Sequence, residues 1–138
     1  MIGEASLIRA LNHFQAVQLW GDCPIAKEAI FQISSENFEE AFDALFPARK
    51  PVAEVYAQII ADCLVAIENA PDASNKFKAN KMAANALLAK VYATMPNPDW
   101  AKVNQYCDVV IGGGYTLLPT FEAQSGSVFK AYIGGCGY

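Results

Sequence analysis

An all-α fold of antiparallel helical hairpins is what this sequence predicts, and three observations carry that reading. Apolar residues recur at three-and-four spacing through residues 51–69, 80–95 and 99–111, which puts them on one face of an α-helix in each stretch. Pro96 and Pro98 separate the last two stretches and Gly112, Gly113 and Gly114 close the second, so two amphipathic helices joined by a few residues fold back on each other. The chain of 138 residues is one domain long and sufficient for one core.

Composition narrows the function classes. Hydrophobic residues make up 54% and charged residues 17%, against roughly 25% charged in an average soluble domain, so the surface is short of charge. A net charge of -4 and a pI near 4.9 argue against a nucleic-acid partner, which needs a basic stripe. No run of about 18 uncharged apolar residues offers a membrane span. Met1, Ile2, Gly3 and Glu4 enter a helical pattern at once, without the basic and apolar regions of a signal peptide. Cys23, Cys63, Cys107 and Cys136 lie far apart with no C-x-x-C pair, and His13 is the one histidine, so neither a metal nor another cofactor is expected. Cys63 and Cys107 fall on apolar helix stripes and read as buried free thiols, with a disulfide between them as the other option.

In chain order, the first helix spans residues 3–20, with Leu7, Ala10, Leu11, Phe14 and Val17 as its core stripe and Glu4 in the first turn. Gly21 ends it, and Pro24 pushes Cys23 into an extended conformation. His13 lies on this helix without a nucleophile in a recognisable pattern and reads as a boundary residue. A short helix follows over residues 37–45, with Glu36, Glu39, Glu40 and Asp43 on one side and Phe38, Phe42, Leu45 and Phe46 on the other. Glycosidases need two carboxyls about 5 to 9.5 Å apart, but any acidic helix face meets that distance through neighbours three or four residues apart. A solvated face is the reading adopted.

The next helix, opened by Pro51, shows the clearest periodicity: Val52, Val55, Tyr56, Ile59, Ile60, Cys63, Leu64 and Ile67. Ala70-Pro71-Asp72 closes it, and a polar linker runs through Phe77. The hairpin then carries Ala84, Leu87, Leu88, Val91, Tyr92 and Met95 on its first helix. Asp99 is the N-cap of the second, whose stripe is Trp100, Val103, Cys107, Val110 and Ile111. Such hairpins are the unit from which tetratricopeptide-like arrays are stacked. The glycine run closes a helix and leads into an extended stretch from Tyr115 to Leu118, an order opposite to that of a phosphate-binding loop, so it reads as a C-terminal stop. The predicted core comprises Leu11, Phe14, Ile59, Ile60, Cys63, Leu64, Leu87, Leu88, Val91 and Cys107.

Two segments resemble the SusD/RagB family. The first is G-E-A-S-L-I-R-A-L-N-H-F-Q-A-V-Q-L-W-G-D-C-P-I, in which Gly3, Glu4, Ala5, Arg9, Ala10, Phe14, Trp20, Gly21, Asp22 and Pro24 fit the family's helix and exit loop. The second runs from Ala83 to Tyr92, continues with Trp100-Ala101-Lys102 and ends at Gly114-Tyr115-Thr116-Leu117-Leu118. Between them, Val55-Tyr56 with Ile59-Ile60-Ala61-Asp62 is also similar. The resemblance implies a SusD-like helical domain over residues 1–118 and fades beyond Pro119, where Gly134-Gly135-Cys136-Gly137 reads as the flexible end of a C-terminal tail, residues 119–138, with an exposed Cys136 thiol. Members are surface-exposed lipoproteins of Bacteroidetes-type outer membranes that bind glycans or other nutrients over a TonB-dependent transporter. Capture and delivery are therefore implied, not catalysis.

Family members are several times longer, so an interior piece is expected, and no ligand-binding residue is carried over. The rings of Trp20 and Trp100 suit stacking on a sugar, but each falls at a helix end or turn, and packing is the expectation for both. The alternative is a stand-alone tetratricopeptide-like adaptor holding a protein partner in its groove. The apolar, charge-poor composition, with helix faces that the rest of a longer relative would cover, implies a homo-oligomer.

Overall fold

A computed structural model describes residues 1–25, 34–72 and 78–113, apart from the side chains at positions 40, 43 and 44. Within them the chain forms five helices and one short ribbon: α1 (Ile2–Trp20), β1 (Cys23–Pro24), α2 (Phe38–Leu45), β2 (Arg49–Lys50), α3 (Val52–Asn69), α4 (Lys81–Thr94) and α5 (Trp100–Gly112). The all-α class and the hairpin topology are as the sequence predicts. The four long helices stack in the order α1, α3, α4, α5, each packed chiefly on the next.

The core lies between α1, α3 and α4, where Phe14, Val55, Ile59, Cys63, Leu88 and Val91 are almost wholly removed from water. α1 buries Gly3, Ser6, Leu7, Ala10, Phe14 and Val17. Leu11, expected in the core, is 44% exposed, because at about 100° per residue it lies roughly 90° from the centre of that stripe. Leu64, also expected in the core, is 46% exposed. α3 buries Val55, Tyr56, Ile59, Asp62, Cys63 and Ala66, and Leu64 points roughly 140° away from them. Ile60 lies between these extremes and is half-buried. The apolar stripe of α3 is thus wider than its buried face.

α4 is the central helix, flanked by α3 and α5, and buries Ala84, Asn85, Leu87, Leu88, Ala89, Val91 and Tyr92. Its N-cap Asn80 accepts the Ala83 N–H at 2.9 Å. Met95 turns to extended backbone, and Asp99 then caps α5 by accepting the Lys102 N–H at 3.1 Å. α5 has no fully buried residue. Cys107, expected in the core, is only half-buried, as are Val103, Tyr106 and Val110, while Trp100 and Ile111 are exposed. The physical reason is that α5 packs extensively on α4 alone, and Tyr106 does so by stacking on Tyr92, with ring centroids 5.8 Å apart and planes 3° apart.

α5 runs on through Gly112, and Gly113 (φ −73°, ψ 5°) donates its N–H to the Val110 carbonyl at 3.1 Å. The glycine stop is therefore one residue later than expected, and Gly113 itself is not left-handed. The polar linker at 73–77, the exit from Tyr115 to Leu118, the tail 119–138 and Cys136 lie outside the described residues.

Candidate functional site

One end of the bundle is assembled by three ties. Gly21 takes φ 68°, a left-handed conformation suited to glycine, and turns the chain so that Asp22 Oδ1 accepts the Val52 N–H at 3.0 Å, at the start of α3. Beyond it, β1 and β2 pair antiparallel, Cys23 opposite Lys50 and Pro24 opposite Arg49. On the other side of α3, the Tyr56 hydroxyl donates to the Thr94 carbonyl at 3.3 Å. The end of α1, the starts of α3 and α5 and the end of α4 thus lie together.

Both tryptophans fall at this end, and the structure corrects the reading that packing accounts for them: Trp20 is 67% and Trp100 is 64% exposed. An apolar hollow of about 220 Å³ opens nearby, with Tyr56, Ala57, Ile60, Met95 and Pro96 among its walls. Neither indole is among the walls of that hollow; exposed indole faces by themselves suit the C–H faces of a sugar or another flat, part-apolar ligand. Sequence reasoning singled out both rings but missed their exposure, which depends on how far each helix end projects beyond its neighbours.

Arg9, Asp62, Gln58 and His13 form a polar cluster between α1 and α3. The Arg9 guanidinium holds the Asp62 carboxylate with two hydrogen bonds, 2.8 Å from Nε and 2.6 Å from its terminal nitrogen, and Gln58 Nε2 donates to Asp62 Oδ1 at 2.9 Å. Asp62 is 2% exposed. The hydrogen bond to Asp62 raises the Arg9 pKa against the opposing effect of burial. Burial lowers the His13 pKa, with the Asp62 charge acting against it and the Arg9 charge with it. His13 Nδ1 is buried without a hydrogen-bond partner. This cluster is built for holding two helices together; its carboxylate is already engaged by three donors. The sequence signal for it was a charge on the inner side of each helix.

The remaining candidates stay apart. Cys23 and Cys63 are buried, Cys107 is half-buried, and all three are free thiols, so the Cys63–Cys107 disulfide is not formed. Burial, reinforced by the Asp62 charge, pushes the Cys63 thiol up to about 12, far from the thiolate that nucleophilic chemistry requires. Glu36 and Glu39 face solvent, as a solvated acidic row requires, while the side chains of Glu40 and Asp43 lie outside the described set. Among the described residues, no group of three or more His, Cys, Asp or Glu side chains is placed to hold a metal, and no helix is long and apolar enough to cross a membrane.

Residues 1–93 match the SusD-like family described as starch-binding associating with outer membrane. A SusD-like protein of Bacteroides ovatus is 29% identical over 131 residues, which cover 88% of this chain and 22% of that protein. The chain therefore spans about a fifth of the length of that relative. No solved structure matches.

Proposed function

This chain belongs to the SusD-like family, and on that premise we propose that it is the helical part of a non-catalytic, surface-exposed outer-membrane protein that captures a glycan or other nutrient for a TonB-dependent transporter. The family match over residues 1–93 carries the reading. The exposed Trp20 and Trp100 rings support it, because they offer sugar-stacking surfaces that no packing role uses. No catalytic role is proposed: the charged groups acting on His13 are Asp62 and Arg9, which hold each other, and Cys63 is held as a thiol. A second copy is the proposed cover for the outer faces of α1 and α3, where Ile8, Leu11, Leu19 and Leu64 lie exposed. Light scattering across micromolar concentrations that gave only the monomer mass would remove that part.

The experiment for the whole reading is fractionation and cross-linking of the epitope-tagged protein in its native host. Recovery from the outer-membrane fraction, accessible to external protease and cross-linked to a TonB-dependent transporter, is the expected result. Recovery from the cytosol on a peptide-bearing partner would instead establish the tetratricopeptide-like adaptor.

A further inference from the structure

The segment that leaves the bundle at Pro24 returns to it at Arg49, because these residues face each other across the β1–β2 ribbon. α2 stands on this excursion, outside the extensive packing among the four long helices. Along it Phe38, Phe42 and Phe46 form a ladder at four-residue spacing, with ring centroids 6.2 Å and 4.9 Å apart. The three rings are 59%, 51% and 69% exposed, and Leu45 beside them is 52% exposed. Four large apolar side chains thus face water on a two-turn helix and its exit.

The charge on α2 and its lead-in has one sign, and the basic Arg49 and Lys50 lie beyond its exit, in β2. Residues 34–46 hold four acidic and no basic residues, and Glu36 and Glu39 are exposed. We propose that the ladder of Phe38, Phe42 and Phe46 is a docking surface for a basic amphipathic helix of another protein. Rungs four residues apart advance about 6 Å each along the helix, which matches the i, i+3/i+4 spacing of apolar anchors on a partner helix. Lysines or arginines flanking those anchors reach Glu36 and Glu39 and speed association.

The same charge disfavours other occupants. A second copy would bring four acidic positions against four, on chains that each carry a net charge of -4. An anionic bilayer is repelled likewise. For a sugar, successive rings tilted 35° and 48° to each other form no flat platform, and phenyl groups lack a polar tip to bond its hydroxyls. This inference does not depend on the transporter reading.

The test is fluorescence anisotropy of a labelled Leu/Lys peptide of about 14 residues, four helical turns long, with its leucines on one face, titrated with the full 138-residue chain. Binding that Phe42→Ser weakens by about tenfold or more and added salt weakens further is the expected result. A Leu/Glu peptide of the same pattern should not bind. Phe46→Ser, beyond the last helical turn of α2, should also weaken binding with circular dichroism unchanged, which separates a lost contact from a lost helix. Absence of Leu/Lys binding, or binding indifferent to both substitutions, overturns the proposal. Phe42-dependent binding of phosphatidylglycerol vesicles or of maltoheptaose, with none of the peptide, assigns the ladder to lipid or sugar and overturns it equally.

Discussion

Asp22, in the exit of α1, caps α3 from thirty positions away by accepting the Val52 N–H at 3.0 Å. A helix start leaves its first N–H groups without intrahelical partners, and Pro51, the residue before α3, has no side-chain oxygen to offer. Asp22 supplies that oxygen and adds a negative charge at the positive end of the helix dipole. Asp22→Ala is expected to destabilise the fold by about 1 kcal/mol, and Asp22→Asn by less. Urea denaturation midpoints check this; equal losses for both would mean that charge, not the cap hydrogen bond, matters.

Arg9 and Asp62 are coupled through two hydrogen bonds in a part-buried interface, with the carboxylate on the dry side. Arg9→Met leaves the Asp62 carboxylate buried with Gln58 as its remaining described side-chain donor. The expected loss is roughly 3 kcal/mol, the low end for a broken buried pair, since the Arg9 side chain keeps 38% of its exposure. The double variant Arg9→Met, Asp62→Leu should recover most of it. A double-mutant cycle with no coupling would contradict the prediction.

Two glycines make opposite predictions. A Cβ on Gly3 would stand 2.3 Å from the Ala70 nitrogen and 2.5 Å from the Asn69 carbonyl carbon, both backbone atoms, whereas a Cβ on Gly112 meets nothing within 4 Å. Gly3→Ala should therefore cost about 1–3 kcal/mol through forced separation of α1 from the end of α3. Gly112→Ala, at the end of α5, should be neutral or stabilise by up to about 1 kcal/mol. Thermal melts of the pair suffice as the check.

Leu88 and Leu64 separate the buried stripe from the merely apolar one. Leu88 is 0% and Leu64 is 46% exposed. Leu88→Ala is expected to cost about 2–5 kcal/mol, and Leu64→Ala under about 1 kcal/mol. Comparable losses in chemical denaturation would mean that Leu64 is covered in solution, as pairing of two copies through α3 would make it.

Stability should also fall on mild acidification through His13. Burial, the largest effect, lowers its pKa from the ordinary 6.5, and Arg9 adds to the lowering while Asp62 opposes it. The unfolded chain therefore takes up the proton more readily. The contribution of neutral His13 is complete above about pH 6.5, declines as pH falls through that unfolded value, and stops declining below the folded pKa. Melting temperatures of the parent should drop more between about pH 8 and pH 5 than those of His13→Gln. Parallel curves would show that His13 protonates freely in the fold.

The α4–α5 hairpin was legible because its signals are local: Pro96 and Pro98 bar helix, and Asp99 caps the N–H only three residues on. Periodicity located Leu88 but could not separate it from Leu64, since both belong to broad apolar stripes and only the placement of neighbours decides which part is covered. The β1–β2 ribbon was not legible; two residues on each side hold no periodic signal, and their pairing follows from the turn at Gly21. Arg9 and Asp62 were each visible, but a partner 53 positions away is a property of how α1 lies on α3. At the candidate site, the indoles of Trp20 and Trp100 were found by residue type, and their exposure only by the fold.

The pinned neck of the excursion bears on how this chain can change. Once Pro24 and Arg49 are held opposite each other, doubling the length between them adds only about 0.6 kcal/mol of closure entropy. The arm that carries α2 is therefore expected to accept changes of length at little cost to the stacking of the four long helices, so recognition can drift on a scaffold that stays the same.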